Sequence, residues 1–395
     1  MILTLTLNPS LDRTIEVGEL TRGAVIRAGA ARLDPGGKGV NVSRALLANG
    51  VVSCAVVPFG GDEGRRLVHL LADEGLEMVM VPVRGATRSN VALAEPDGTV
   101  TKINEPGTAL SADELDTVAE AVLSAAHSAD WVVASGSLPP SVPQDVYAVL
   151  CRRFTGAGIH VAVDTSGPAL MAAVAAGPAL VKPNRDELAD VTGRPITRLG
   201  DAVEAAEKLR AAGARSVLAS LGAAGAVLVA EHGVWYGDCR VEEPRSTVGA
   251  GDAMLAGFLA HLSRTAHPPR TIHLSRSAGP SRSADLSGSA DLSGTADLPR
   301  SAHLSGTADL PRSAHLSGAA DVSGTAGPSR SARPYGSPGD ALLADPVACE
   351  RALREALAWA AAAVELPGSR MPHPSDIRRD RVRLLPADPS TPLGE

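Results

Sequence analysis

Apolar and polar positions alternate with a period of two over the first seven residues, Met1-Ile2-Leu3-Thr4-Leu5-Thr6-Leu7, and Asn8-Pro9-Ser10 breaks the run. That pattern predicts a strand ending in a turn. Helical spacing follows at 40–49, a β-rich apolar run at 51–59, and helical spacing again at 62–74. Strand and helix patterns in alternation predict a parallel sheet covered by helices. Segments 13–33 and 88–103 break the rhythm with short polar strands and turns such as Pro96-Asp97-Gly98. They predict a small sheet at the edge of the domain, a candidate lid.

The alternation resumes with strands at 131–134, 160–164, 180–182 and 216–220, helices at 142–155 and 201–212, and paired antiparallel strands over 225–241. In open sheets of this kind ligands sit beyond the carboxyl ends of the strands. Ser135, Asp164, Asn184 and Ser220 fall at such ends. After an apolar helix at 253–262 the pattern changes: a six-residue unit such as Ser-Gly-Thr-Ala-Asp-Leu recurs, with Leu286, Leu292, Leu298, Leu304, Leu310 and Leu316 in phase. One modest apolar residue per unit, among Pro, Ser and Gly, buries too little surface to offset chain entropy. A disordered insertion over 265–340 is expected in preference to a hexad β-helix. An Ala-rich helix at 346–366 then resumes the core, so the expected organisation is a core over 1–264 and 341–380, interrupted by the insertion, with a tail over 381–395.

Composition adds constraints. Aromatic residues make up only 2% of the 395, so the core must rest on Val, Leu, Ala and Ile. The net charge of −7 comes without any basic block, which argues against a nucleic-acid partner. Cys54, Cys151, Cys239 and Cys349 are far apart and lack metal or redox spacing. No run approaches a membrane span, and the first strand lacks the basic flank of a signal peptide. A cytoplasmic protein with no membrane partner is the expectation.

Candidate chemistry is concentrated at glycine turns. Ser246-Thr247-Val248-Gly249-Ala250-Gly251-Asp252 runs straight into the helix at 253–262. Exposed N–H groups at such a helix start form an anion site, and a carboxylate there suits proton abstraction from a hydroxyl attacking phosphate. Capping by Asp252 is the structural alternative. Gly36-Gly37-Lys38-Gly39-Val40-Asn41 is a second turn opening a helix; it matches neither Walker A nor Gly-x-Gly-x-x-Gly spacing. Asp12 follows the first strand, where it can accept two sugar hydroxyls or simply close an Asx turn. Arg88, close to Asn90, offers a planar fork for phosphate. Asn184 and Glu187, after Lys182-Pro183, have the spacing of a capping box and also suit Mg²⁺ chemistry. Ser220-Leu221-Gly222-Ala223-Ala224-Gly225 reads as a hairpin turn or a nucleotide loop.

Taken together these motifs resemble the ribokinase/PfkB family of carbohydrate kinases, with the 36–41 turn and 246–259 matching its two signature regions. Thr6 to Asp12, Ser135-Gly136-Ser137-Leu138-Pro139, Lys182-Pro183-Asn184 and Thr101-Lys102-Ile103-Asn104-Glu105-Pro106-Gly107 resemble its hexose-phosphate branch. The resemblance implies a ribokinase-like three-layer α/β/α sandwich with a mainly parallel central sheet and a small β lid. It implies ATP and Mg²⁺ as cofactors and phosphorylation of a ketohexose phosphate. Fructose 1-phosphate is the leading substrate, with tagatose 6-phosphate and fructose 6-phosphate as alternatives. A non-catalytic sugar-phosphate binder is the alternative from another class.

By the same resemblance, Asp252 is the base, and Gly249, Ala250 and Gly251 stabilise the transferring phosphoryl. Asp12, Gly36, Gly37, Lys38, Asn41, Arg88 and Asn90 hold the sugar phosphate. Lys182, Asn184, Ser220, Gly222, Ala223, Gly225, Thr247, Gly249 and Gly251 line the ATP site, and Asn184 and Glu187 organise Mg²⁺ through water. Lids of the family often pair, so a homodimer through the lid is an expected assembly, although the sequence does not fix the oligomeric state. The hexad insertion departs from the family and spares every motif.

Overall fold

Strands rich in Val, Leu and Ala assemble into one long sheet because both of their faces find apolar cover. The computed structural model describes residues 1–126, 129–266 and 343–394; most of the expected 265–340 insertion lies outside these residues. The strands of the main sheet are β1 (Ile2–Thr6), β4 (Ser53–Phe59), β5 (Met78–Pro82), β8 (Trp131–Ser135), β9 (His160–Asp164), β10 (Leu180–Val181), β11 (Val217–Ser220), β12 (Ala226–Ala230), β13 (Gly233–Cys239) and β14 (Val382–Leu385). Their order is β14-β13-β12-β11-β10-β9-β8-β1-β4-β5. Pairing is parallel from β5 to β11 and antiparallel from β11 to β14.

Successive residues serve opposite faces. Ile2, Trp131 and Val133 face one cluster with α1 (Lys38–Ala48), α8 (Ala250–Ala266) and α9 (Pro346–Val364). Leu3, Leu5 and Val132 face the other, with α3 (Ala112–Ala125), α4 (Val146–Gly156), α5 (Gly167–Val174), α6 (Arg185–Thr192) and α7 (Leu199–Ala211). A smaller cluster joins Val40 to Leu67 and Leu71 of α2 (Gly61–Asp73). The result is the expected three-layer α/β/α sandwich with a mainly parallel centre.

The expected lid is a separate four-stranded sheet, β3-β2-β6-β7, made of β2 (Ser10–Glu16), β3 (Ala31–Gly36), β6 (Arg88–Ala94) and β7 (Val100–Asn104). The turn after β1 is shorter than the sequence suggests, because β2 already begins at Ser10. Asp12 therefore stands within a lid strand instead of a loop. Three further elements were not expected: α3, whose Ser111–Glu114 capping box is legible in the sequence, β5 and α5.

The stretch expected to be a tail is built into the fold. Residues 382–385 form β14, paired with β13, and the chain then crosses to the start of α7. That helix begins Leu199-Gly200 after Arg198, with no side-chain oxygen to cap it. The Leu199 and Gly200 N–H groups donate instead to the Thr391 and Pro389 carbonyls at 2.9 and 3.0 Å, and Leu393 is buried. Removal of 387–395 is expected to lower the unfolding free energy by about 1–3 kcal/mol, through the lost cap and the lost Leu393 burial. The shift of the urea midpoint measures it.

Candidate active site

Two glycine turns far apart in sequence meet at the carboxyl edge of the sheet. The first precedes α1, where Gly37 takes φ 117° and leaves Asn41 in the first turn of the helix. The second precedes α8, where Gly249 takes φ 78°. Asn41 Nδ2 donates to Asp252 Oδ2 at 2.9 Å. Asp252 is the third residue of α8, so it does not cap the helix, and its side chain is engaged by another element. Burial, reinforced by the negative charge of Asp164, pushes its carboxyl up to about 6, against the Asn41 hydrogen bond and the charges of Lys38 and Lys182. A carboxylate so tuned is a competent proton acceptor near neutrality. Asn41 Oδ1 is buried with no partner among the described residues.

Beneath the turns lies a charge cluster that the sequence pattern marks only as a polar strand end. Asp164, fully buried at the end of β9, accepts from Lys38 Nζ at 2.7 Å and lies 3.1 Å from Lys182 Nζ. Burial alone raises a carboxyl. Here the attraction and hydrogen bonds of the two lysines prevail and hold Asp164 below the usual range. Burial pulls Lys38 down, but Asp164 outweighs it and Lys38 is raised. Lys182 is a buried member of this cluster, and a Cβ on Gly251 would lie 3.3 Å from its Nζ. The first turn of α8 therefore sits over a cation, and the positive end of the helix dipole adds to the field.

The lid supplies the opposite wall. Asp12 Oδ1 accepts from Ser10 Oγ at 2.7 Å and from Asn90 Nδ2 at 2.9 Å. Arg88 is pinned by the Glu105 and Asn8 carbonyls, both at 3.1 Å, while its Nε and Asn90 Oδ1 are buried without partners among the described residues. Asn8 was not singled out from the sequence. Its Nδ2 donates to the Pro106 carbonyl at 3.0 Å and to Ser137 Oγ at 3.3 Å, joining β1, the end of the lid and the Ser135–Ser137 corner. Ser135 Oγ is also buried and unpartnered among the described residues. Gly36 lies against Asp12.

At Asn184 and Glu187 the structural alternative is realised. Asn184 Oδ1 accepts the Glu187 N–H and Glu187 Oε2 accepts the Asn184 N–H, both at 2.8 Å, a complete capping box. Burial raises the Glu187 carboxyl despite the nearby Lys38. Ser220 ends β11 beside Asn184. Gly222, Ala223 and Ala224 form a single helical turn at the sheet edge, and the Leu221 N–H closes on the Gly225 carbonyl at 2.8 Å. Thr247 is exposed on the approach to α8. Among the described residues no group of three or more His, Cys, Asp or Glu side chains could hold a metal. Among the described residues no helix is long and apolar enough to cross a membrane.

Known proteins resemble this chain in sequence and in fold. The chain is 40% identical over 260 residues to 1-phosphofructokinase of Rhodobacter capsulatus, covering 65% of this chain and 82% of that protein. It is 38% identical over 273 residues to ATP-dependent 6-phosphofructokinase isozyme 2 of Escherichia coli, covering 67% and 86%. Among solved structures, Escherichia coli phosphofructokinase-2 in complex with potassium superposes with TM-score 0.71 at 28% identity, over 95% of this chain and 96% of that one. Residues 5–279 match the pfkB family carbohydrate kinase profile. On these matches the chain belongs to the pfkB family of carbohydrate kinases, phosphotransferases with an alcohol acceptor.

Proposed function

We propose that the chain transfers the γ-phosphoryl group of ATP to the free primary hydroxyl of fructose 1-phosphate, giving fructose 1,6-bisphosphate and ADP. The observation that carries this reading is the Asn41–Asp252 hydrogen bond, which joins the sugar-binding turn to a buried carboxylate raised to about 6.

In this mechanism Asp252 removes the hydroxyl proton as the oxygen attacks phosphorus in line, and the bond from phosphorus to the ADP oxygen breaks. The N–H groups of Gly249, Ala250 and Gly251 receive the charge on the transferring phosphoryl. Lys38 and Lys182 stabilise it from below. Asp12, Asn41 and Asn90 hold sugar hydroxyls, and Arg88 with its free Nε binds the existing phosphate. Gly36 and Gly37 let the sugar approach the backbone. Ser220, Gly222, Ala223, Gly225 and Thr247 line the nucleotide side. Asn184 and Glu187 would hold Mg²⁺, with water between, and the ion would supply neutralisation of phosphate charge; Glu187 Oε1 carries no hydrogen bond in the capping box.

Lid closure excludes water that would otherwise hydrolyse ATP. Leu33, Arg13, Val91 and Ile103 share a register row on the lid face opposite Asp12, where Arg13 is exposed and Ile103 is 58% exposed. That mixed apolar and basic face is the one through which a homodimer would pair.

A second reading, fructose 6-phosphate as acceptor, is favoured by the 38% identity to the 6-phosphofructokinase isozyme; tagatose 6-phosphate is a third. A coupled assay of ADP release distinguishes them. The largest kcat/KM is expected with fructose 1-phosphate. A larger value with either of the other sugars replaces this assignment, and equal turnover of ribose or adenosine moves the chain to another branch.

A further inference from the structure

Asp12 and Asp34 stand directly opposite one another in the β2–β3 register, so both carboxylates lie on the lid face that the proposed reading gives to the sugar. Like charges placed this way repel. The two side chains are drawn in opposite directions. Asp12 is gathered by Ser10 and Asn90 and lies against Gly36. Asp34 Oδ2 accepts from Arg32 Nε at 2.7 Å, two residues the other way.

Arg32 also reaches beyond the lid. Its Nη2 lies against Gly368, and a methyl group on that residue would collide with it. Gly368 has φ 66° and belongs to the strap at 366–371 that follows α9. The same strap contacts both halves of the site. The Ser369 carbonyl accepts from Arg44 Nη1 at 3.2 Å, and that nitrogen also donates to the Pro35 carbonyl at 3.3 Å, next to Gly36. Met371 Cε lies 2.9 Å from the position a Cβ on Gly249 would take. Arg32 thus stands where lid strand, strap and phosphate turn adjoin.

We propose that Arg32 is a positioning residue for the sugar phosphate. It neutralises Asp34 and holds it away from Asp12, which leaves Asp12 turned toward the sugar, and it seats β3 on the strap at Gly368. The proposal rests on the reading of Asp12 as a sugar-hydroxyl ligand. An exposed ion pair adds little to stability, so loss of Arg32 acts on sugar binding rather than on folding.

The test is steady-state kinetics on the full chain with fructose 1-phosphate. Arg32→Ala is expected to raise the sugar KM about tenfold, with kcat within about twofold and the ATP KM and thermal midpoint unchanged. The double variant Arg32→Ala/Asp34→Asn removes both charges and is expected to recover most of the sugar KM, which a merely structural loss would not do. Gly368→Ala is expected to raise the sugar KM in the parent and to add little in the Arg32→Ala background; the backbone cost of φ 66° is common to both arms and cancels in the cycle. An unchanged sugar KM in Arg32→Ala, or a double variant no better than the single, overturns the proposal. A parent chain that turns over no ketohexose phosphate overturns the function proposed above instead, and is measured first.

Discussion

Asp252→Asn is expected to lower turnover by about 10²- to 10⁴-fold, the span usual for loss of a general base, with little change in either KM. The amide keeps the shape of the side chain and can still accept from Asn41 Nδ2, so the site is preserved while the proton acceptor is lost. In the parent chain the base is charged only above its pKa of about 6. The rate therefore rises with pH through that value and levels off above it. In the variant this limb disappears. Stability moves the other way. A carboxyl whose folded pKa is raised binds more protons folded than unfolded, so its contribution to stability falls as pH rises from the unfolded value toward 6. At pH 7 the parent carries the cost of a buried charge, and Asp252→Asn relieves roughly 1–3 kcal/mol of it. A variant that melts higher and turns over far more slowly supports the base assignment; near-parental turnover removes it.

Asp164→Ala is expected to cost about 3–5 kcal/mol of stability, the range for removing one partner of a buried ion pair. Lys182, with a side chain only 5% exposed, would be left with an uncompensated charge. Lys38 is 37% exposed and can turn to water, so most of the cost falls on Lys182. The acid limb of unfolding carries the same signature. Asp164 has a depressed carboxyl, so its contribution to parental stability is present above the unfolded value and is lost as pH falls through the lower folded pKa. The variant loses less stability on acidification. Its residual activity reports the coupling to Asp252: without the neighbouring negative charge the Asp252 carboxyl falls, and the rise in rate with pH moves to more acid values. Urea midpoints at two pH values and a pH–rate profile measure both effects.

Local chemistry was legible in the chain wherever one stretch of sequence carries the whole signal. The turns at 36–41 and 246–252 announce themselves by glycine spacing next to a helical pattern, and both structural turns are there. The Asn184–Glu187 spacing announces a capping box, and the box is formed. The helix at 112–125 had the same kind of signal in Ser111 and Glu114. The tail at 382–393 had none, because its partners are the edge strand β13 and the uncapped start of α7, chosen by proximity in the folded chain.

The sequence by itself determined the layered α/β architecture, the lid strands and the glycine turns, since periodicity and backbone freedom are properties of neighbouring residues. Tertiary structure alone decided that Asn41 meets Asp252 across 211 positions and that Lys38 meets Asp164 across 126. The reason is physical. A carboxyl becomes a base near neutrality, and an aspartate a buried counter-ion, only when the parallel sheet brings distant strand ends together and excludes water from between them.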